Sequence, residues 1–430
     1  MFLLYNFLLT LFAPFWAPWM VWRAWRRKEK PNWKERQGDY RESIPKKGDR
    51  PRLWVHTVSV GEFVAAKPLL KALRAEFSEH EIVVSVTTSS GHQTAREAEE
   101  GLYDYLVYLP IDVARFTMAA MQRVRPDALI VLETELWMNL FWAADIFGVR
   151  TYVVNARISD RSYPRSQKLK FFYRALFGFV AKVLAQTETD AERFRSLGAE
   201  NVQAVGNIKF DQALETAHDP ARWRTELGSR EGRLTILVGS LRAEEFTAFA
   251  PEVAKLVDRA DFVIAPRHLE RGAEFESALR SVAPGIEIRH RSKSEKLPRG
   301  GVLMLDTYGE LAEAYAAADI AIVGGGFANL GGQNIIQPLS QGVATLHGSH
   351  MKNFRDVVAL SEAAGASYRC SLSAHPETGA RSLGPTLSAL IDNPEERKRM
   401  GEAAMALIAA NRGAAARMAQ IIAEDSTPAS

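Results

Sequence analysis

Short apolar runs alternate with longer amphipathic segments along the chain from residue 52 onward. The apolar runs have the length of buried strands, and the segments between them repeat apolar residues at helical spacing. The first six predicted strands are Leu53–Val58, Ile82–Thr87, Tyr105–Leu109, Ala128–Leu132, Thr151–Val154 and Val183–Ala185. The helices predicted between them are Ala65–Glu76, Val113–Arg123 and Leu136–Phe147. This alternation predicts parallel strands with right-handed crossovers, and therefore an open α/β sheet.

The same alternation starts again after a polar stretch at residues 211–233. The second set of predicted strands is Leu234–Val238, Asp261–Ala265, Gly301–Leu305, Ile320–Val323 and Val343–Leu346. The pattern therefore predicts an α/β protein with two Rossmann-like domains, residues 29–215 and 216–425, that face each other across a cleft. Ligands of such sheets bind at the carboxyl ends of the strands, so we expect the loops after the strands to carry the chemistry.

Residues 1–28 form a segment of a different kind. Phe2 to Trp22 is a run of 21 residues without a charge. Four basic residues follow it: Arg23, Arg26, Arg27 and Lys28. One helix of this length would span roughly 31 Å, about one hydrocarbon core, although two prolines interrupt its second half. Tryptophans beside basic residues are typical of a membrane interface. The segment predicts an uncleaved membrane anchor, and the alternative is a hydrophobic arm buried in a soluble protein.

Composition narrows the classes of function. The chain has 430 residues, of which 47% are hydrophobic, an ordinary globular balance that excludes disorder of the whole chain. Lys and Arg number 54 and Asp and Glu 51, so the net charge of +3 gives no argument for a nucleic-acid partner. Cys370 is the only cysteine, which excludes a disulfide framework and a zinc cluster of cysteines.

Two loops of the first predicted domain carry carboxylates. Glu62 follows the first strand at the start of a helix, where it either complements the helix dipole or acts as a general base in the cleft. Glu133 and Glu135 follow the fourth strand. At the end of a strand, we expect one of these two side chains to face the cleft and the other the solvent.

Glycine-rich loops follow several strands of the second predicted domain. Gly324–Gly326 and Gly331–Asn334 come after an apolar strand and before a helix, and Ser240 follows Gly239 after the first strand of this domain. Such backbone suits a phosphate or a nucleotide. The spacing is not GxGxxG, which argues against an NAD site.

Several motifs occur in an order that resembles one known family. They are Trp54 to Glu62 (WVHTVSVGE), Glu133 to Trp137 (ETELW), Asn155 to Ser159 (NARIS), Gly206 to Asp211 (GNIKFD), Pro266 to His268 (PRH), Asp306 to Leu311 (DTYGEL) and Asn353 to Asp356 (NFRD). Together they resemble the 3-deoxy-D-manno-octulosonic acid (Kdo) transferases of lipopolysaccharide synthesis. The resemblance implies a GT-B fold, CMP-Kdo as donor and a lipid A precursor as acceptor. It also implies work at the cytoplasmic face of the inner membrane, in contact with membrane lipids, without a cofactor or a metal site.

The resemblance also implies roles for individual residues. Glu62 matches the family's general base, and Glu133 and Lys209 match positions that stabilise the transition state. Together with Ser240 of the glycine loop, the positions expected to bind the donor nucleotide are Pro266, Arg267, Tyr308, Gly309, Glu310, Asn334, Ile335, Ile336 and Gln337. Where the family usually has glutamate this chain has Gln337, which keeps a carbonyl acceptor but loses a charge-assisted bond to the nucleotide.

Three interpretations of function remain open from the sequence. The first is a membrane-anchored Kdo transferase, and the second is a GT-B glycosyltransferase whose donor has changed, as Gln333 and Gln337 would allow. The third is a catalytically silent protein that binds a nucleotide or a lipid at the membrane. A basic aromatic stretch at residues 168–182 either lies on an anionic leaflet beside the anchor or packs as an ordinary helix of the first domain.

Overall fold

The protein folds into two compact units. A computed structural model describes residues 1–26, 32–160, 162–215, 218–372 and 379–426. Unit 1 contains Met1–Asp211 and Asn411–Ser430, and unit 2 contains Gln212–Ala410. Arg27 and Lys28 of the predicted basic flank, and residue 216 at the predicted domain boundary, lie outside the described residues.

Unit 1 is built on a sheet of seven parallel strands in the order β3-β2-β1-β4-β5-β6-β7. The strands are β1 (Arg52–His56), β2 (Glu81–Val86), β3 (Tyr105–Tyr108), β4 (Ala128–Leu132), β5 (Arg150–Ala156), β6 (Lys182–Ala185) and β7 (Val202–Ala204). The central strands β1 and β4 are buried along their whole length, as the continuous apolar runs predict for a sheet covered on both faces.

The first three helices of unit 1 precede β1, and the helices after them connect the strands. They are α1 (Phe2–Leu11), α2 (Ala13–Arg26), α3 (Trp33–Arg36), α4 (Val60–Glu76), α5 (Ser89–Arg96), α6 (Ala114–Val124), α7 (Met138–Ile146), α8 (Tyr163–Lys168), α9 (Lys170–Phe177) and α10 (Glu188–Ser196). Helix α4 begins five residues before its predicted start at Ala65, which places Glu62 in its first turn.

The N-terminal segment forms two helices instead of one. Among the described residues no single helix is both long and apolar enough to cross a bilayer, and only the pair α1 and α2, bent by 68°, meets that test of length and composition. Helix α1 lies on unit 1. Tyr5 donates a hydrogen bond of 2.8 Å to Asp112, Asn6 donates one of 2.7 Å to Asn139, and Phe2 stacks on the ring of Trp142.

Unit 2 contains a second parallel sheet in the order β10-β11-β9-β8-β12-β13-β14-β15. Its strands are β8 (Leu234–Leu241), β9 (Ala260–Pro266), β10 (Ile288–His290), β11 (Val302–Met304), β12 (Ile320–Val323), β13 (Ala344–His347), β14 (Ser367–Ser371) and β15 (Arg381–Ser382). Its helices are α11 (Pro220–Leu227), α12 (Ala243–Leu256), α13 (Gly272–Val282), α14 (Leu311–Ala314), α15 (Ile336–Ser340), α16 (Arg355–Ala363), α17 (Leu383–Asp392) and α18 (Pro394–Asn411). The prediction of two α/β domains with parallel sheets is confirmed.

The C-terminal helix α19 (Ala414–Ser426) differs from the prediction, which places residues up to 425 in the second domain. Helix α19 belongs to unit 1, where Met418 and Ile422 are buried in the same apolar cluster as Leu69 and Leu70 of α4. Asp211 caps its start by accepting backbone hydrogen bonds from Gly413 and Ala415. The repeated strand–helix pattern of the sequence does not show that the last helix packs on unit 1. Its place depends on which unit buries the apolar face of the helix.

We expect Met418→Ala to lower the free energy of unfolding by about 2–5 kcal/mol, because it leaves a cavity in the core of unit 1. The measurement is urea unfolding followed by fluorescence. The matched control is Gln420→Ala on the exposed face of α19, expected within about 0.5 kcal/mol of the parent. Equal effects of the two substitutions would show that α19 is not part of the unit 1 core.

Candidate active site

The carboxyl ends of β1 and β4 lie side by side at one edge of the unit 1 sheet. These strands are neighbours in the sheet, and the chain runs outward from them in opposite directions, to β2 and β3 on one side and to β5, β6 and β7 on the other. This arrangement is a topological switch point, where open α/β sheets bind ligands. Glu62 follows β1 and Glu133 follows β4.

Glu62 lies in the first turn of α4. Its Oε2 accepts a hydrogen bond of 2.9 Å from the backbone N–H of Val58, and its Oε1 accepts one of 3.4 Å from the hydroxyl of Ser59. Burial raises the pKa of Glu62 to about 7, and the negative charge of Glu133 adds to that rise. A carboxylate with a pKa near the working pH is well suited to accept a proton in catalysis.

Glu133 has an unusual backbone conformation for a non-glycine residue. Its φ of 55° is left-handed, a conformation that costs free energy and is concentrated at functional sites. The residue is 8% exposed. Its Oε2 accepts a hydrogen bond of 3.2 Å from Nε of Arg157, and its Oε1 lies 3.7 Å from Nζ of Lys209. The structure thus brings together Glu133 and Lys209, two of the residues that the sequence predicts for catalysis.

A chain of amide side chains positions Lys209. Asn207 accepts a hydrogen bond from the backbone N–H of Lys209 and donates one of 2.8 Å to Gln186. Gln186 donates to the carbonyl oxygen of Asn155, which in turn accepts from the N–H of Ile208 through its side chain. The sequence alone predicts no role for Asn155, Gln186, Asn207 or Arg157. Three of them stand inside the motifs that carry the family resemblance, and Gln186 follows β6 without any such signal.

Glu135 is half-buried and acts electrostatically on Glu62, although the sequence predicts that one of the two carboxylates after β4 faces the solvent. Its negative charge also raises the pKa of Glu62, although less than that of Glu133 does, and burial raises the pKa of Glu135 itself. Glu133 and Glu135 lie in the irregular segment that follows β4, so a strand pattern does not fix the directions of their side chains. The edge therefore concentrates the negative charge of two further carboxylates around Glu62.

The corresponding switch point of unit 2 lies between β8 and β12. Ser240 lies there at a bulge in β8 and has a left-handed φ of 55°. Gly239 is required beside it, because a Cβ at this position would lie 1.9 Å from the hydroxyl oxygen of the buried Tyr315. The N–H of Arg267 donates a hydrogen bond of 2.8 Å to the carbonyl oxygen of Leu241, which places Pro266 and Arg267 at the same edge as Ser240.

The glycine loop after β12 differs from its prediction. The carboxylate of Glu245, which is 1% exposed, accepts hydrogen bonds from the N–H groups of Gly325, Phe327 and Ala328 at 2.8, 2.9 and 3.3 Å. These amides are therefore occupied by the protein's own carboxylate and do not face a phosphate. The loop needs its glycines for close approach, because a Cβ at Gly324 would lie 2.7 Å from Cα of Leu241 and one at Gly326 2.5 Å from Sδ of Met351. Composition alone does not distinguish this requirement from phosphate binding.

The other residues predicted to bind the nucleotide are either exposed at strand ends or held by contacts within unit 2. Arg267 and Tyr308 are exposed at strand ends, and Gly309 has a left-handed φ of 85°. Glu310 is held within the protein by the hydroxyl of Thr307 and by Arg291 at 3.2 Å. Burial opposes the charge of Glu310, but these hydrogen bonds lower its pKa overall.

The last predicted nucleotide segment begins helix α15. Ile335 and Ile336 are buried, so their side chains belong to the core and only their backbone atoms are available to a ligand. Asn334 accepts a hydrogen bond of 3.0 Å from the N–H of Ile336, and Gln337 is half-buried. No group of three or more His, Cys, Asp or Glu side chains within the described ranges could hold a metal ion.

Comparison with known proteins agrees with this architecture. The family model of the 3-deoxy-D-manno-octulosonic-acid transferases matches residues 31–212. The 3-deoxy-D-manno-octulosonic acid transferase of Bordetella pertussis is 34% identical over 379 residues, 85% of this chain and 85% of the relative. That of Chlamydophila psittaci is 30% identical over 354 residues, 81% and 79% of the two chains. The solved structure of MurG from Acinetobacter baumannii, 13% identical, superposes with a TM-score of 0.56 over 87% of this chain and 99% of MurG.

Two parallel α/β sheets in successive units are the architecture of the GT-B fold. The structural similarity to MurG supports the fold, and the identity to the relatives from Bordetella and Chlamydophila supports the class of enzyme. The chain belongs to the 3-deoxy-D-manno-octulosonic acid transferase family, and the resemblance drawn from the motifs is confirmed.

We expect Glu245→Gln to destabilise unit 2 by about 2–3 kcal/mol, because an amide NH2 would face backbone N–H donors and leave buried groups unpaired. Urea unfolding measures the change. The matched control is Glu244→Gln, the same substitution at the exposed neighbouring residue, which is expected to have little effect. If both variants unfold like the parent, the carboxylate does not hold the glycine loop.

Proposed function

We propose that this protein is an inverting glycosyltransferase that moves Kdo from CMP-Kdo to a lipid A precursor in lipopolysaccharide synthesis. Membership of the Kdo transferase family supports the sugar and the pathway. The observation that carries the chemistry is Glu62, a carboxylate at the switch point of unit 1 whose pKa is raised to about 7. Such a group is deprotonated often enough near neutral pH to act as a general base.

The proposed reaction is a single displacement. Glu62 takes the proton of an acceptor hydroxyl while the acceptor oxygen forms a bond to the anomeric carbon of Kdo. The bond from that carbon to the phosphate oxygen breaks, and CMP leaves with the electron pair. Because the attack comes from the face opposite CMP, the configuration at the anomeric carbon is inverted.

Electrostatic groups support this displacement. Glu133 and Lys209 form an ion pair at the same edge as Glu62, and we assign them to stabilisation of the transition state. Arg267, exposed after β9, is assigned to the phosphate of CMP, since a guanidinium can pair with it through two hydrogen bonds. Ser240, Pro266, Tyr308, Gly309, Glu310 and the segment from Asn334 to Gln337 complete the proposed nucleotide site.

A second candidate is a transferase of the same fold with a different nucleotide sugar. Gln337 favours it, because an amide replaces the glutamate usual in the family and forms a weaker hydrogen bond to a ribose hydroxyl. The loss is about 1–2 kcal/mol for one downgraded bond. We favour CMP-Kdo because the residues assigned to chemistry, Glu62, Glu133 and Lys209, all match the family.

We further propose that the enzyme works on the cytoplasmic face of the inner membrane, with residues 1–28 as an anchor that lies in the interface. Support comes from the exposed apolar face of the bent helix pair, where Leu3 is 81% and Phe7 is 63% exposed. Helix α9 continues this surface. Its Phe172 lies 5.9 Å from the ring of Tyr5, and Phe171 is exposed. A helix with one side on protein and one apolar side exposed suits the boundary of a bilayer.

The test of the reaction is a transfer assay with CMP-Kdo and a lipid A precursor. We expect the parent to transfer Kdo and Glu62→Gln to lose at least ~100-fold in kcat, because glutamine cannot take the acceptor proton. Glu76→Gln, at the exposed end of the same helix, is the matched control and should keep the parent rate.

Different failures of this assay have different meanings. Equal rates for Glu62→Gln and the parent would overturn the assignment of the base. If the parent shows no transfer and binds UDP more tightly than CMP, the donor is a different nucleotide sugar. Binding of a nucleotide without transfer to any acceptor would favour a catalytically silent protein.

The anchor is tested by flotation with vesicles of mixed zwitterionic and anionic phospholipid. We expect Leu3→Asp combined with Phe7→Asp to lower the partition coefficient at least ~10-fold, because charges replace two exposed apolar side chains. Val282→Asp, at an exposed apolar position of unit 2, is the matched control. Equal binding of all three proteins would contradict the proposed role of α1.

A further inference from the structure

One motif behind the family resemblance, Asn353 to Asp356, has no role in the proposed mechanism. It lies beside a cavity of about 410 Å³ in unit 2, at the loop that follows β13. Its lining includes His350, Lys352, Arg355 and Arg369. The cavity therefore lies between the loop after β13 and the first turns of α16.

The wall of this cavity is built against the segment assigned to the nucleotide. The N–H of Asn353 donates a hydrogen bond of 3.0 Å to the carbonyl oxygen of Gly331, which lies three residues before Asn334. Gly331 has a left-handed φ of 95°, and a Cβ there would lie 2.9 Å from Cε of Lys352. The side chain of Lys352 thus occupies the space beside Gly331 that a larger residue would need, close to the backbone that leads into the nucleotide segment.

The charges of the cavity have one sign. Lys352, Arg355 and Arg369 line it together with His350, and its lining contains no Asp or Glu. Arg369 is already neutralised, because two of its nitrogens bind the carboxylate of Glu362 at 2.7 and 2.9 Å. Within the described part of the chain, the side chains of Lys352 and Arg355 have no hydrogen-bond or ion-pair partner. Two uncompensated cations therefore remain for an anionic ligand.

The chemistry of the donor explains why a second anion site is needed. The sugar of CMP-Kdo is an ulosonic acid, so its anomeric carbon carries a carboxylate as well as the bond to phosphate. A neutral sugar would offer hydroxyl acceptors but no negative charge to pair with these two cations. Arginine matches a carboxylate through two parallel hydrogen bonds, whereas lysine supplies a compact positive charge.

We propose that Lys352 and Arg355 bind the carboxylate of the sugar in the donor and so select an acidic sugar. Arg355 pairs with the two carboxylate oxygens, and Lys352 neutralises the remaining charge. The proposal rests on the proposed function, since it takes CMP-Kdo as the donor. It assigns recognition of the sugar to the loop after β13 and recognition of the nucleotide to the other strand ends.

Calorimetric titration of the full chain with CMP and with freshly prepared CMP-Kdo tests this assignment. For Arg355→Gln we expect Kd for CMP-Kdo to rise at least ~10-fold, as for loss of a charge-assisted pair, while Kd for CMP stays within about twofold. Lys352→Gln should act in the same direction with a smaller effect. Arg280→Gln, an exposed cation on α13, is the matched control and should bind both ligands like the parent.

The outcomes separate this proposal from the function on which it rests. Equal weakening of CMP and CMP-Kdo would assign Arg355 to the phosphate and overturn the proposal. Unchanged affinity for both ligands in Arg355→Gln and Lys352→Gln would also overturn it. If the parent binds CMP-Kdo no more tightly than CMP, the site for the acidic sugar is absent although the assignment of the nucleotide site stands. If the parent binds neither ligand, the proposed function fails first.

Discussion

The desolvation of Glu62 beside the charge of Glu133 is the interaction on which the candidate chemistry depends. Burial and a like charge both disfavour the ionised form of Glu62, which raises its pKa from 4.5 to about 7. Because the folded-state pKa lies above the unfolded one, ionisation of Glu62 costs stability. Protonated Glu62 therefore stabilises the folded state relative to the unfolded one. This stabilisation is complete below pH 4.5 and is lost as the pH rises through about 7. The same burial that lowers stability gives Glu62 a pKa near neutrality, where a general base is most effective.

Two positive groups pair with Glu133 at the edge where Glu62 lies. They are Arg157, at 3.2 Å, and Lys209, at 3.7 Å. The buried carboxylate of Glu245 in unit 2 has a different role, because it accepts hydrogen bonds from three loop amides and fixes the backbone there. One residue type therefore serves as a reactive group where its neighbours are acidic and as a structural support where they are N–H donors.

The central part of each sheet was predictable because buried parallel strands are continuous apolar runs, as at Ala128–Leu132 and Ile320–Val323. Four strands at or next to a sheet edge, β7, β10, β14 and β15, were not predicted, because they are short and only partly buried and therefore lack an apolar run. The place of Glu62 at a strand end was predictable, whereas its role as a base follows only from the family resemblance and stays a prediction. The amide chain through Gln186 and the clamp by Glu245 were not predictable, since each joins residues far apart in sequence.

Direct titration of the Glu62 carboxyl group is the closest test of its role as the base. Carbon NMR of the glutamate side-chain carboxyls, with Glu62→Gln to assign the signal, reports the midpoint without any substrate. We expect a midpoint near pH 7 in the parent and a lower midpoint in Glu133→Gln, because that variant removes the neighbouring charge. A parent midpoint near the ordinary value of 4.5 would contradict the desolvation of Glu62 and with it the proposed base.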